Sequence, residues 1–202
     1  MLMLKREIQT AQETTAEPGQ DTLDLSRSDH HFAREIAVRS GTDLRRCYLC
    51  RTCSGGCPIY QAMDLGPHRV MRLVLYGQRR RVLESNTIWL CVGCHTCAAV
   101  CPMAIDIAAV MDTLRQLALE EGVEISEPGI LDFHREVLRS IQRHGRTHKL
   151  EIMMRYKAGQ HKWFEDMDLG LKMLAKRKLD LRPSRIKEPA RLAKLFAKPW
   201  KA

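Results

Sequence analysis

Two stretches of the chain have residue types and spacing that could do chemistry: "CYLCRTCSGGCP" at residues 47–58 and "CVGCHTCAAVCP" at residues 91–102. In each, four thiols follow at intervals of three, three and four, and a proline closes the run. The two runs use all eight cysteines of the 202-residue chain. Thiols can serve disulfides, structural zinc or iron–sulfur clusters. No cysteine is left over as a nucleophile, and the chain has no G-x-G-x-x-G, no phosphate loop and no acid–base pairing that a sequence can show. Electron carriage fits this inventory better than catalysis.

The repeat weighs on the choice. C-x2-C-x2-C-x3-C-P is the run of bacterial ferredoxins, in which three thiols wrap one face of an iron–sulfur cube and the fourth crosses to the other cube. Carried onto this sequence, the pattern assigns Cys47, Cys50, Cys53 and Cys101 to one 4Fe–4S cluster and Cys91, Cys94, Cys97 and Cys57 to a second, so two clusters are expected as neighbours. Gly55, Gly56 and Gly93 are expected to let backbone amides approach the sulfurs. Pro58 and Pro102 turn the chain after each crossing cysteine. Ile59, Trp89, Leu90, Val92, Val100, Met103 and Ile105 are candidates to keep water away, and each can equally be ordinary core. His95 is expected near the ligands or at the surface rather than among them. Arg45, Arg46 and Arg51 either offset cluster charge or are simply solvated. Two closed zinc sites remain open, although tetrahedral zinc needs neither a third evenly spaced thiol nor the proline. A reducing compartment argues against disulfides.

Helices must position these loops. Ser28 or Asp29 can cap a helix with Phe32, Ile36 and Val38 inward, stopped at Gly41. Pro67 suits a first helical turn ahead of Val70, Met71, Val74 and Leu75, and Gly77 breaks that helix before a short one with Val82 and Leu83. Ile107, Val110, Met111, Leu114, Leu117 and Ala118 form one stripe ending at Gly122. Ile130, Leu131, His134, Val137, Leu138 and Ile141 form another between about 127 and 144. No segment alternates cleanly at period two, so strands are scarce and the expected class is mainly α.

The ends differ in composition. Residues 1–27 are polar and expected to be disordered, residues 28–145 to form the cluster-binding domain, and residues 146–202 a basic helical extension. Residues 1–148 hold 18 Lys+Arg and 18 Asp+Glu, so the formal charge of +9 belongs wholly to residues 149–202. That tail fits an acidic protein surface, an anionic lipid surface or nucleic acid, or is a solvated face that binds nothing. Its last stretch, "EPARLAKLFAKPW", sets Leu192, Leu195 and Phe196 on a small apolar stripe among lysines. With no run of eighteen apolar residues and no cleavage site at the start, the expectation is a cytoplasmic chain, with the inner membrane face as a candidate contact for the tail.

At "CYLCRTCSGGCP", "LGPHRVMRLVLYGQ", "IWLCVGCHTCAAVCP" and "LRQLALEEG" the chain resembles the iron–sulfur C subunits of heterodisulfide reductases. The resemblance covers about residues 28–145 and includes a 33-residue insert between the runs. It implies an α-helical ferredoxin fold and a protein that relays single electrons between a flavoprotein partner (the A component of such enzymes) and a cysteine-rich catalytic partner (the B component). Enzyme activity then belongs to the complex. The tail is similar to extensions in bacterial relatives, including those of a sulfur-oxidising heterodisulfide-reductase-like system. Two other readings stand beside this one: an iron–sulfur subunit of another dehydrogenase or quinone-linked membrane complex, and a zinc-bearing nucleic-acid module, which the 5% aromatic content disfavours.

Overall fold

The computed structural model describes residues 25–159 together with 23, 173, 176, 186 and 196. Among the described residues there are helices and turns and no strand. The helices are α1 (Phe32–Ser40), α2 (Thr52–Gly55), α3 (Pro67–Leu75), α4 (Arg79–Leu83), α5 (Thr87–Leu90), α6 (Thr96–Ala99), α7 (Ile107–Glu121), α8 (Pro128–His144) and α9 (Lys149–Gly159). Short 3-10 turns occupy Leu25–Arg27, Leu44–Arg46 and Tyr60–Ala62. The mainly α class read from the sequence therefore holds. The tail stretches "LGLKMLAKRKL" and "EPARLAKLFAKPW", and the opening of the chain, lie essentially outside the described residues.

The core collects one stripe from each helix near the cysteine runs. Phe32 and Ile36 of α1, Val70, Met71 and Val74 of α3, Val82 and Leu83 of α4, Ile88 and Trp89 of α5 and Val110, Met111 and Leu114 of α7 pack as one cluster. Each such side chain contributes about 1.5–3 kcal/mol on burial. Pro67 stands at the start of α3, where its missing N–H costs no hydrogen bond. Gly41 and Gly122 end α1 and α7 in the left-handed conformation. Asp106 caps α7 by accepting from the Ala109 backbone N–H at 3.0 Å.

Several expected positions differ. Val38 is 75% exposed, because α1 is covered on one side only, by α3 and α7. Neither Ser28 nor Asp29 takes the N-cap of α1; His31 stands there, and Asp29 instead accepts from the His31 backbone N–H at 2.9 Å. On α8 only Leu131 of the expected stripe is fully buried, since its apolar face meets α5 and α9 but no second layer. Gly77 does more than break a helix: at φ +67° it lies against Asp29, whose backbone N–H donates to the Gly77 carbonyl at 2.9 Å.

Two polar clusters lock the frame. Arg79 donates to Asp29 at 3.0 Å, Glu35 at 2.8 Å and Glu121 at 2.8 Å and lies 5.1 Å from the Phe32 ring centroid, joining the chain before α1, α1 itself, α4 and the end of α7. Asp64 accepts from the Ser85 hydroxyl at 2.6 Å, the Thr87 hydroxyl at 2.8 Å and the Asn86 backbone N–H at 3.2 Å, pinning the approach to α3 onto the approach to α5. Partial burial disfavours the Asp64 carboxylate, but the donors from Ser85, Thr87, Asn86 and Leu65 outweigh it and hold its proton affinity below the ordinary aspartate range. A carboxyl lowered on folding adds stability above its unfolded pKa and loses it as pH falls through the folded value. Acid titration of unfolding should therefore show Asp64→Asn losing less stability than the parent on going from pH 6 to pH 3, with the parent the more stable at pH 6.

Candidate iron–sulfur site

The two cysteine runs fold alike. Cys47 ends the 3-10 turn Leu44–Arg46 and Cys91 ends α5, so each run begins where a helical turn stops. Leu49 and Gly93 follow at the same place in the repeat with φ of 62° and 63°, and Arg51 and His95 likewise with 65° and 57°. These paired left-handed residues coil each loop tightly enough to aim three thiols inward within seven residues. Thr52 and Thr96 then open the matching short helices α2 and α6. Their hydroxyls sit 3.3 Å and 3.4 Å from the Cys50 and Cys94 sulfurs.

All eight cysteines are free thiols. Cys50 and Cys94 are exposed, and hydrogen bonds from the Thr52 and Thr96 side chains and backbones hold both below the ordinary thiol range. Burial pushes Cys53 up, and Cys97 up to about 11. Burial thus favours the neutral thiol at Cys53 and Cys97, so a metal centre bound there displaces protons, the usual coupling of metal binding to proton release.

The structure brings the runs together. Cys57 of the first run lines one cavity with Cys91, Cys94 and Cys97 of the second, and Ile59, Met63, Pro67, Ala108 and Met111 supply its apolar wall. On the other side, Cys53 lies within electrostatic reach of Cys47 and Cys50. The Tyr48 phenol is raised first by its hydrogen bond to Cys50, then by desolvation and by the charge of Cys50 and Cys101. Cys101 of the second run thus lies within electrostatic reach of Tyr48 in the first. Four thiols around the apolar cavity, and the other four cysteines of the same repeated pattern, are a donor set suited to two iron–sulfur cubes. No group of three or more His, Cys, Asp or Glu side chains among the described residues is gathered so as to hold a single ion.

The surrounding residues divide unevenly. Trp89 and Ile105 are buried, Met103 is half-buried, and Val92 and Val100 are 68% and 40% exposed. Val92 borders the cavity with its outer face in solvent. Gly93 is needed for its backbone conformation, since a Cβ there would meet no protein atom within 4 Å; the same space is open at Gly55. A Cβ at Gly56 would stand at ordinary contact distance from Thr96 and Val100, so the meeting of α2 and α6 there does not depend on glycine's small size. His95 borders the cavity with Nδ1 3.8 Å from Asp106. Arg45 is paired with Asp43 at 3.2 Å, which leaves Arg46 and Arg51 as exposed charges beside the first loop.

A family model of the 4Fe–4S dicluster domain matches residues 46–106, which takes in both loops and the helices between them. Over this segment the chain is similar to 4Fe–4S dicluster domains. The match to the dicluster domain and the eight thiols point to two 4Fe–4S clusters as the groups that the loops of this chain hold. Its relatives agree. The chain is 32% identical over 107 residues to the C subunit of the ferredoxin:CoB-CoM heterodisulfide reductase of Methanosarcina acetivorans, covering 53% of this chain and 43% of that one. It is 38% identical over 79 residues to the C 2 iron–sulfur subunit of the CoB–CoM heterodisulfide reductase of Methanocaldococcus jannaschii, covering 39% and 42%. The C2 subunit of the H(2)/formate:CoB-CoM heterodisulfide,ferredoxin reductase of Methanococcus maripaludis is 37% identical over 100 residues, covering 45% and 53%. The resemblance to the iron–sulfur C subunits of heterodisulfide reductases is thereby shown, and the matches span about half the length of these relatives.

Sequence reasoning overlooked three contributors. Met63 and Ala108 line the cavity, and only the folded arrangement of α3 and α7 brings them there. Arg115, on α7, donates to the carbonyl oxygens of Ile88 and Cys91 at the start of the second loop. A lone arginine within a helical stripe carries no sequence signal for that role.

Proposed function

We propose that the chain is the electron relay of a heterodisulfide-reductase-like assembly, passing single electrons between a flavin-bearing partner and a cysteine-rich catalytic partner. The observation that carries the reading is the cavity shared by Cys57 and the three leading cysteines of the other run. It supports crossed ligation, with Cys47, Cys50, Cys53 and Cys101 holding one cluster and Cys91, Cys94, Cys97 and Cys57 the other. Ligands that cross between runs make the two centres neighbours, as a relay requires.

When bound, the clusters supply one-electron chemistry. The chain's residues do the rest. The thiolates hold the iron, Thr52 and Thr96 orient the exposed Cys50 and Cys94, and Ile59, Met63, Pro67 and Met111 limit water on the second side. Cys50 and Cys94, at the surface, are the points nearest to any partner. Among the described residues no helix is long and apolar enough to cross a membrane. Residues 28–145 are the proposed cluster domain and the basic residues 146–202 its docking extension.

The test is an iron, acid-labile sulfide and zinc count on anaerobically purified protein, an electron paramagnetic resonance spectrum after dithionite reduction, and co-purification from the native host. About eight irons and eight sulfides, two interacting reduced centres and co-purifying flavoprotein and cysteine-rich partners are expected. About two zincs without sulfide would overturn the cluster reading. Co-purification with a quinone-linked membrane dehydrogenase would move the protein to a different complex.

A further inference from the structure

The wall of the second cavity contains one face of α7. Ala108 and Met111 line it, at positions three apart, and Arg115 follows at the next helical repeat on the same face. Its side chain is only 17% exposed, and its guanidinium spans two backbone carbonyls, those of Ile88 and of Cys91, a ligand in the proposed set. Those carbonyls lie at the end of α5, where helix geometry leaves oxygens without partners and favours a cation. The charge therefore sits one residue's backbone away from the Cys91 sulfur.

Its surroundings leave that charge largely uncancelled toward the cavity. Asp112, one turn before it on α7, stands 3.9 Å away with a side chain 62% exposed, so its field is screened by solvent. His134 on α8 is disfavoured as a cation by desolvation and then by Arg115 itself, so it brings no competing positive charge. Lysine would keep the charge but not the two-pronged grip, because only a guanidinium offers a planar fork of donors.

We propose that Arg115 is a positioning residue for the second cysteine loop that also sets the reduction potential of the centre held there. This rests on the crossed-ligation reading above. Adding an electron makes a centre more negative, and a fixed cation at short range in a poorly solvated site stabilises that state over the oxidised one. Arg115 thus makes the second centre easier to reduce than its loop alone would, and gives a relay between similar centres a direction.

The experiment uses the full-length holoprotein, with reduction followed by electron paramagnetic resonance across a titrated potential series. Wild-type protein is first checked for two clusters; failure there overturns the reading beneath and says nothing of Arg115. In Arg115→Gln, the equilibrium constant for reducing one centre should fall about tenfold, which is 59 mV for one electron, while the other centre moves less than threefold. Arg115→Lys should stay within about threefold of wild type at both centres while lowering the melting temperature. Should Arg115→Gln load poorly, Asp112→Asn reads the same charge from the surface and should move the same centre about twofold in the opposite direction. A melting-temperature loss in Arg115→Gln with both potentials unchanged would reduce the residue to a helix-end cap and overturn the proposal. Equal shifts at both centres, or Asp112→Asn shifting the centre downward, would do the same.

Discussion

Cys57→Ala is expected to disturb the centre built by residues 91–97 and to spare the one built by residues 47–53, although Cys57 belongs to the first run. The thiol lines the cavity of Cys91, Cys94 and Cys97. Losing it opens one iron of that centre, so between one and four of the roughly eight irons should be lost. The diagnostic comparison is spectroscopic. The reduced spectrum of Cys57→Ala should match that of Cys94→Ala and differ from that of Cys50→Ala. Cys101→Ala should give the reciprocal result, because the crossed set assigns Cys101 to the centre built by residues 47–53. A Cys57→Ala spectrum that matched Cys50→Ala would mean that each run serves its own cluster.

The largest effect on the fold itself is expected at Gly77. A Cβ there would lie 2.4 Å from the Asp29 carbonyl oxygen and 2.8 Å from its backbone nitrogen, in a residue at φ +67°. Neither obstacle is the end of a flexible side chain. Left-handed backbone alone costs an alanine about 1–2 kcal/mol, and displacing the Asp29 backbone also disturbs the bonds of Arg79. Gly77→Ala should therefore destabilise by about 3 kcal/mol or more, a fall in melting temperature of roughly 10 °C. Gly122→Ala is the control, at φ +63° with open space around it, and should cost only the conformational 1–2 kcal/mol. Equal melting temperatures for the two variants would show that Asp29 yields without cost.

What the sequence disclosed follows from where its signals are local. Pro67, Gly41 and Gly122 act through their own backbone, and each stands where its chemistry predicted. The stripe from Ile107 to Ala118 is buried as a whole because α7 is packed by α1, α4, α5 and α6. The α8 stripe has the same periodicity and too few neighbours, so most of it stays half-buried; periodicity states which face seeks cover and not whether cover exists. Thr87, fully buried and bonded to Asp64 and Leu65, is invisible in sequence because its partners lie more than twenty residues away. The cysteine runs were legible as chemistry because their spacing is repeated. Which thiols share a space was already assigned from the repeated pattern, and the packing of α2 against α6 is what lets Cys57 reach the cavity of the other run.

The matching backbones of the two loops carry different side chains at one telling position. Gly93 adopts φ 63° freely, whereas Leu49 holds 62° against the preference of a branched side chain. Arg51 and His95 impose a similar left-handed cost on both loops, so the leucine makes the first loop the costlier of the two to coil. During biogenesis, the loop at residues 91–97 is accordingly the one expected to be filled first and emptied last, and the leucine loop to relax whenever its iron is withdrawn. An oxidative insult would then strip the protein in a fixed order, with the half-loaded form a distinct and isolable species.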